Sequence, residues 1–328
     1  MPPELPDAPQ RREIQIGGQA VIEGVVMRGP DRWALAVRRP DGGIQVEVNP
    51  TLTLAQRYPR LDWFPVRGVF ALVDSLVIGV KSLQISAGIA LEGQEQERTE
   101  EGPDRGRETR EPRENTGLST VHIAISLLIA LAIFLGLFIV VPATIAKSLD
   151  PYLRNTVLYN LVEGLLRVAI FISYIAAMGL VPDMRRVFGY HGAEHKVVHV
   201  YEHELALTGE AAADFSTAHM RCGTTFIVIV FVISILVFSL LGRPALWLRI
   251  VERLAVIPLV AAVSYEIIKF AGRHEDSLPL RLFMAPGLWF QRLTTREPEP
   301  DQVEVAVEAL KAALGVGKAP PVEELSGV

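Results

Sequence analysis

The sequence predicts a predominantly α-helical, polytopic membrane protein with about four transmembrane helices and a small β-rich N-terminal cytosolic domain. Half of the 328 residues are hydrophobic, only 21% are charged, and the mean hydropathy is +0.30. Long uncharged stretches alternate with charged ones, which is the pattern of a membrane protein rather than of a soluble one. The start of the chain is proline-rich and lacks an apolar run, so we expect no cleavable secretory signal.

The β-rich domain is predicted to cover residues 14–65, after a disordered tail at 1–13. A short apolar run at 34–37 is followed by Pro-Asp-Gly-Gly at 40–43, which is typical of a tight turn. Apolar and polar residues then alternate over 44–49, as they do in a half-buried strand. These features predict a β-hairpin. The paired glycines that open the segment GGQAVIEGVVMR (17–28) predict either a glycine bulge in a strand or a close backbone approach.

The next apolar stretch, residues 66–91, differs from an ordinary membrane span. Arg67, Asp74 and Lys81 recur every seven residues and therefore fall near one stripe of a helix. This pattern favours an amphipathic interfacial or re-entrant helix over a full span. The following acidic segment, 92–117, is rich in Glu and Arg and broken by Pro and Gly, which predicts a disordered linker.

Four apolar segments form the predicted membrane domain, residues 118–272. They run from Leu118 to Ala146, Val157 to Val181, Thr224 to Gly242 and Leu254 to Ala271. Four spans place both termini and the central loop, residues 182–223, on the same side of the membrane. The distribution of Lys and Arg favours the cytosol for that side. We therefore expect a multi-pass protein of the bacterial cell (inner) membrane with both termini in the cytosol.

Two further features lie in or near this domain. Glu163 and Arg167 are four residues apart, so they can pair on one helix face and enter the bilayer together. The C-terminal cytosolic segment, 273–328, is predicted to contain an amphipathic helix opened by Asp301, with Glu304 three residues later. The apolar face of this helix consists of Val303, Val307, Leu310 and Leu314.

The segment most suggestive of chemistry is His-Gly-Ala-Glu-His at 191–195. His191 and His195 lie one turn apart on a helix, and Glu194 lies on the adjacent flank. Two imidazoles in this arrangement can hold one divalent metal ion, with zinc as the first candidate, and the glutamate can act as a general base on water. His199 and His203 continue the four-residue spacing, but for them a solvated helix face is the preferred interpretation.

Further ligands must come from other parts of the chain. A third ligand from His219 or Glu266, with one open position, would resemble a catalytic zinc site, whereas adding Cys222 could close the site as a structural one. Cys222 is the single cysteine, which excludes an internal disulfide and fits a reducing compartment. The alternatives are a packed thiol for Cys222 and an ion pair with Lys269 or Arg273 for Glu266.

Several motifs in one order resemble the YqhQ-like family, bacterial membrane proteins of unknown function described as predicted metal-dependent enzymes. The motifs are GGQAVIEGVVMRGP (17–30), RGVFALVDSL (67–76), YHGAEHK (190–196), HMRCGTTFIVIV (219–230), SYEIIK (264–269) and PGLWFQRLTTREP (286–298). The residues that match the family pattern and could form the site are His191, Glu194, His195, His219, Cys222 and Glu266. Met220 stands where a proline is usual in that pattern, and His199 and His203 fall outside it.

Two hypotheses for function remain open. The first is a membrane-embedded metal-dependent hydrolase, with Glu194 as general base and a lipid or membrane peptide as substrate. The second is a non-catalytic transport, lipid-handling or assembly protein, in which the His and Glu residues form a structural polar network. The cytosolic segments at both ends suit binding to a protein partner. A net charge of −5 without a dense basic block excludes a nucleic-acid partner.

Overall fold

The computed structural model describes residues 16–51, 53–58, 62–64, 66–100, 120–242, 244–274 and 277–316. It confirms the predicted fold class, a mainly helical membrane protein with a small N-terminal sheet. The predicted tail at 1–13 and the part of the linker after Glu100 lie outside the described residues. The strands are β1 (Gly17–Val21), β2 (Gly24–Arg28), β3 (Arg32–Arg38) and β4 (Ile44–Pro50).

The helices fall into two groups by position. Those near the ends of the chain and between the spans are α1 (Leu54–Arg57), α2 (Arg67–Glu100), α6 (Pro182–Glu202), α7 (Gly209–Ala213), α10 (Leu278–Thr294) and α11 (Pro300–Leu314). Those of the membrane domain are α3 (Thr120–Leu135), a π-helical turn at Gly136–Val140, α4 (Val141–Ser148), α5 (Thr156–Met178), α8 (Gly223–Leu240) and α9 (Leu246–Ala271).

The sheet is an antiparallel meander in the order β1-β2-β3-β4. The predicted hairpin is confirmed, because β3 pairs with β4 across a turn in which Gly42 has a φ of 85°. β1 and β2 are joined by a two-residue turn in which Glu23 has a φ of 50°. This left-handed backbone holds Glu23 so that its carboxylate accepts hydrogen bonds from Arg186 at 2.6 Å and from the Tyr190 hydroxyl at 3.3 Å. The turn is thereby tied to α6.

Helices cover both faces of the sheet. Side chains alternate along each strand, so that Val25 and Ala34 point to one face while Val26 and Leu35 point to the other. The first face shares one hydrophobic core with α6 and α11, and the second packs against α2. The two ends of the chain and the segment between the spans therefore fold together, which explains why the two central strands, β2 and β3, are nearly continuously apolar.

Among the described residues, five helical segments are long and apolar enough to cross a membrane, one more than predicted. They are Arg67–Leu91, Ile125–Ser148, Thr156–Met178, Gly223–Leu240 and Leu246–Ala271. The additional segment is the first part of α2. This helix continues to Glu100, so the prediction of a disordered linker is wrong for residues 92–100, where Glu, Gln and Arg favour helix. Ile78, Ile85 and Ile89 of α2 pack against the sheet. These contacts favour an interfacial position for this helix.

The predicted pair of Glu163 and Arg167 is confirmed, with a separation of 3.1 Å between two almost fully buried groups. The same carboxylate also contacts Arg253. The fourth predicted span, which was expected to start at Leu254, therefore starts too late, because α9 begins at Leu246 and carries Arg249 and Arg253 into the helix bundle. Arg167 in addition donates to the Phe138 carbonyl at 2.7 Å, within the π-helical turn. Such partners allow charged groups to lie within membrane helices.

The predicted C-terminal helix is α11, but its start differs from the prediction. Glu299 is the N-cap residue, and it forms a reciprocal capping box with Gln302. Pro300 occupies the first helical position, where a missing N–H costs nothing, so the helix begins before Asp301. The predicted apolar face is confirmed, since Val303, Val307 and Leu310 are buried and Leu314 is partly buried against the same core. Val305, which was not predicted, is also buried.

Gly192 of α6 lies at the tightest contact between α6 and the C-terminal segment. A Cβ atom at this position would lie 2.0 Å from the Arg296 carbonyl oxygen and 3.3 Å from Thr217 Cγ2. Because backbone atoms cannot move aside as a flexible side chain can, only glycine fits here.

We therefore expect Gly192→Ala to destabilise the protein by about 1–3 kcal/mol, the usual effect of overpacking a core. Denaturant unfolding of purified protein in detergent micelles measures the change. Gly88→Ala is the matched control, because an added Cβ at Gly88 of α2 meets nothing within 4 Å. The control should be neutral or slightly stabilising, since alanine favours helix over glycine. Equal stability of the two variants would contradict the packing described here.

Candidate metal centre

α6 carries the histidine motif and is buried on almost every side. It begins at Pro182, shortly after α5 ends at Met178, and it packs between the sheet and α11. His191 and His195 lie on one face, with ring centroids 4.5 Å apart. The predicted pair, one helical turn apart, is thus present in the structure.

Both imidazoles are held by backbone carbonyls. Nδ1 of His191 lies 2.8 Å from the Thr294 carbonyl oxygen, and Nδ1 of His195 lies 2.5 Å from that of Thr217. A carbonyl oxygen only accepts hydrogen bonds, so in each ring Nδ1 carries the proton and the neutral ring has its lone pair on Nε2. Burial lowers the pKa of His195, which favours this neutral form. Metal-binding histidines are commonly oriented in this way.

Cys222 completes a group of three potential ligands. One ligand atom from each of His191, His195 and Cys222 lies within 4.8 Å of the others, and Sγ is 3.2 Å from Nε2 of His191. Cys222 is the N-cap residue of α8, and its sulfur accepts the backbone N–H of Thr224 at 3.4 Å. A helix N-terminus favours negative charge, so a thiolate is well placed here.

Glu194 faces the same space as the two imidazoles. Its Oε2 lies 4.0 Å from Nε2 of His191 and 3.9 Å from Nε2 of His195. Burial raises the pKa of this carboxyl group, while His191, His219 and a hydrogen bond from the Gly18 backbone act in the opposite direction. A Cβ on Gly18 would lie 2.9 Å from Glu194 Cγ, so the glycine permits the strand to approach the carboxylate.

His219, which was predicted as a ligand together with the pair, lies in a neighbouring group. Its Nε2 is 3.1 Å from a carboxylate oxygen of Glu202, and the other oxygen of this carboxylate contacts Arg221. His199 also belongs to this group, and burial together with the nearby His219 lowers its pKa to about 4. Nε2 of His199 contacts the Ala218 carbonyl at 2.9 Å. His199 is therefore half-buried rather than part of a solvated face.

The structure does not bring Glu266 to the histidine pair. Its carboxylate accepts two hydrogen bonds from Arg67 of α2, each 2.6 Å long. The alternative prediction was an ion pair of Glu266 with Lys269 or Arg273, and the structure shows an ion pair with Arg67 instead. This ion pair joins the start of α2 to the C-terminal part of α9. His203, in contrast, is exposed and lies outside both histidine groups, as expected.

Sequence reasoning missed several groups that position these side chains. The carbonyls of Thr217 and Thr294 carry no sequence signal, because any residue supplies one. Gly18 stood within a noticed motif, but its contact with Glu194 depends on the packing of β1 against α6. Gln291 is fully buried, and its amide binds the backbone N–H and carbonyl of His219 at 2.8 and 2.7 Å. An amide directly after the apolar run from Leu282 to Phe290 is the sequence signal that could have identified it.

Replacing Gln291 with leucine should loosen the turn that carries His219 and Cys222. The substitution keeps a similar size but removes the acceptor of the His219 N–H, while the His219 carbonyl keeps only the Cys222 N–H as donor, which should cost about 1–3 kcal/mol of stability. Denaturant unfolding measures this loss, and the reaction of Cys222 with a thiol reagent should become faster. Gln84→Leu, at an exposed position of α2, is the control. Unchanged stability and unchanged thiol reactivity in the Gln291 variant would show that Gln291 does not hold this turn.

Comparison with known proteins agrees with the motif pattern. Residues 63–316 match the model of a family described as a protein of unknown function, DUF1385. The chain is 33% identical over 306 residues to the uncharacterized protein YqhQ of Bacillus subtilis (strain 168), with 91% of this chain and 92% of that protein covered. No solved structure matches the chain. The chain therefore belongs to the DUF1385 family of YqhQ-like proteins.

Proposed function

We propose that this protein is a metal-dependent membrane hydrolase in which His191, His195 and Cys222 hold one divalent cation and Glu194 is the general base. The observation that carries the proposal is the orientation of the two imidazoles. Both rings direct a lone pair on Nε2 toward the space that Cys222 Sγ and Glu194 Oε2 also face.

The buried Nε2 atom of His195 is the clearest indication that a cation fits this group of ligands. It has no hydrogen-bond partner in the described part of the chain. Leaving a buried polar atom unpaired costs about 1–3 kcal/mol, and coordination of a cation would remove that cost. Two imidazole nitrogens and one thiolate sulfur form a donor set that suits zinc. The ring protons on the opposite nitrogens are already held by carbonyls, which is the support that such ligands need.

The neighbouring group provides the contrast. His219, Glu202 and Arg221 neutralise one another's charges and hydrogen-bonding needs through direct contacts. Adding a cation there would compete with the arginine for the same carboxylate. We therefore assign this second group to holding the turn before α8 rather than to a metal ion.

A cation bound by three protein ligands with a fourth position open lowers the pKa of a water molecule in that position. Glu194 is placed to accept the proton that such a water loses on attacking a substrate. It would then deliver this proton to the leaving group, so that the elements of water add across the broken bond. The buried surroundings of Glu194 raise its pKa and make it a stronger base than an exposed carboxylate.

The position of the site favours a substrate that belongs to the membrane. The protein contacts the lipid bilayer through its apolar helices. The site lies where α6, which directly follows α5, meets Cys222 at the start of α8. We propose that this side is the cytosolic edge of the bacterial cell membrane, on the basis of the Lys and Arg distribution. A lipid or a membrane peptide could reach the site from there.

A non-catalytic role is the second candidate, and the charge network of Glu202, His219 and Arg221 favours it locally, because it ties α6 to the turn before α8. In that case the pair of histidines would also be structural. The protein would be a lipid-handling or assembly factor whose folded sheet and α11 offer a surface to a partner. The metal content of the purified protein and the effect of replacing Glu194 distinguish the two candidate functions.

We expect the purified wild-type protein to contain about one zinc-type ion per chain, because two imidazoles and one thiolate form the donor set of a three-ligand zinc site with one open position. His195→Ala should lose most of the metal, as measured by elemental mass spectrometry. His203→Ala and Glu266→Gln are the controls and should retain it, since neither residue faces the pair. In cobalt-substituted protein, the charge-transfer absorption of a thiolate ligand should disappear in Cys222→Ser. A wild-type metal content in His195→Ala would eliminate this site.

Glu194→Gln distinguishes a base from a ligand. The amide keeps the size of the side chain but cannot accept the proton, so hydrolysis should fall by about a hundredfold or more. Metal content and cobalt absorption should remain those of the wild type. The readout is the appearance of cleaved products in proteoliposomes made from native membrane lipids and proteins, compared with the wild type. Full product formation by the variant would favour the non-catalytic role.

A further inference from the structure

A cavity of about 360 Å³ lies on the other side of Gly18 from Glu194. β1 and β2 form one wall, α2 the second, and the C-terminal part of α9 the third. Its polar lining comes from Gln19, Arg28, Ser75, Arg221, Tyr265 and Lys269. Arg221 is the residue before Cys222, so the cavity adjoins the candidate metal centre at two places, Gly18 and Arg221.

The charge of this cavity is entirely positive. Arg28, Arg221 and Lys269 line it, and no carboxylate does. Arg221 is engaged by Glu202, but neither Arg28 nor Lys269 forms an ion pair with any carboxylate of the described residues. The nearest contact of Arg28 is a long one of 3.5 Å to Ser75 Oγ, and the ammonium of Lys269 lies 5.8 Å from the centre of the Tyr265 ring. Arg28 and Lys269 thus form no direct ion pair within the described residues, although Glu266 and Asp62 act on Lys269 from a greater distance. Two such cations in one concave site favour an anionic ligand.

An apolar groove continues from this cavity along the contact between β1 and α2. Its volume is about 480 Å³, and it shares Gln19 and Ser75 with the cavity. The remaining lining is mostly aliphatic, from Ala20, Val21, Leu76, Val80 and Leu83. A ligand that fills both spaces must have a charged end and an apolar chain.

The groove is open toward the part of α2 that suits a membrane surface. Leu76 and Leu83 line it and are also exposed, at 68% and 47%, as is the neighbouring Val77 at 61%. An exposed apolar helix face next to membrane-spanning helices is expected to contact lipid. A membrane amphiphile can therefore enter the groove sideways, with its headgroup leading toward Arg28 and Lys269.

We propose that the cavity binds the phosphate headgroup of an anionic membrane lipid, whose chain occupies the groove between β1 and α2. If the proposed function is correct, this lipid belongs to the class of substrate that the metal centre cleaves. Arg28 offers a planar pair of donors that matches phosphate oxygens, and Lys269 adds a second positive charge. The phosphate would then lie on the opposite side of Gly18 from Glu194.

The test is isothermal titration calorimetry of the full chain in a nonionic detergent with three probes. Dioctanoyl phosphatidic acid carries both charge and chains, dioctanoylglycerol carries the chains alone, and inorganic phosphate carries the charge alone. We expect the first to bind most tightly. Arg28→Gln and Lys269→Gln should each weaken its binding by about tenfold, which is the effect of losing one partly buried charge contact. Arg292→Gln, at an exposed position of α10, is the control and should have no effect.

The outcomes are distinct. Equal binding of phosphatidic acid and dioctanoylglycerol, or unchanged binding in both charge variants that keep the wild-type melting temperature, would overturn the headgroup site. Inorganic phosphate binding as tightly as phosphatidic acid would overturn the lipid as the source of the phosphate. His195→Ala should still bind phosphatidic acid, because the cavity lies apart from the imidazoles. Lipid binding in a protein that binds no metal would thus support the cavity while removing the hydrolase.

Discussion

The burial of α6 is the constraint on which the rest of the site depends. This helix carries charged and polar side chains, yet the sheet, α11 and the turn before α8 enclose it. Water cannot satisfy these groups, so each needs a partner from the protein. Lys196 finds the Ala213 carbonyl and Glu297, and the histidines find carbonyls of their own. Nε2 of His195 has no hydrogen bond within the described part of the chain, and this atom faces the candidate metal position.

Close backbone contacts make this burial possible. Gly192 allows the Arg296 carbonyl to approach α6, and the Arg296 N–H donates to the Phe188 carbonyl at 2.9 Å. On the other side, Gly18 allows β1 to approach Glu194. Segments from both ends of the chain thus pack against α6. The same packing leaves the cationic cavity beside the site, since β1 meets α6 with one face and borders α2 with the other.

The two histidine groups illustrate how similar residues acquire different roles. In the first, the ring protons are bound by carbonyls and the lone pairs converge with a thiol and a carboxylate. In the second, an arginine and a glutamate balance each other beside His219. The two groups differ in role because their histidines have different hydrogen-bond and ion-pair partners, although the residue types are similar. Glu266 lies apart from both groups, and Arg67 neutralises it there.

The sequence by itself determined the local features of this protein. Apolar length predicted the spans, alternation and turn residues predicted the β3–β4 hairpin, and helical spacing placed His191, Glu194 and His195 together. These features depend on residues within one or two turns of each other, so periodicity reveals them. The tertiary structure alone decided that Cys222 joins the histidine pair and that Arg67 takes Glu266. It also decided that Gly18 lies against Glu194, because contacts between distant segments depend on how whole helices and strands pack, which no local pattern encodes.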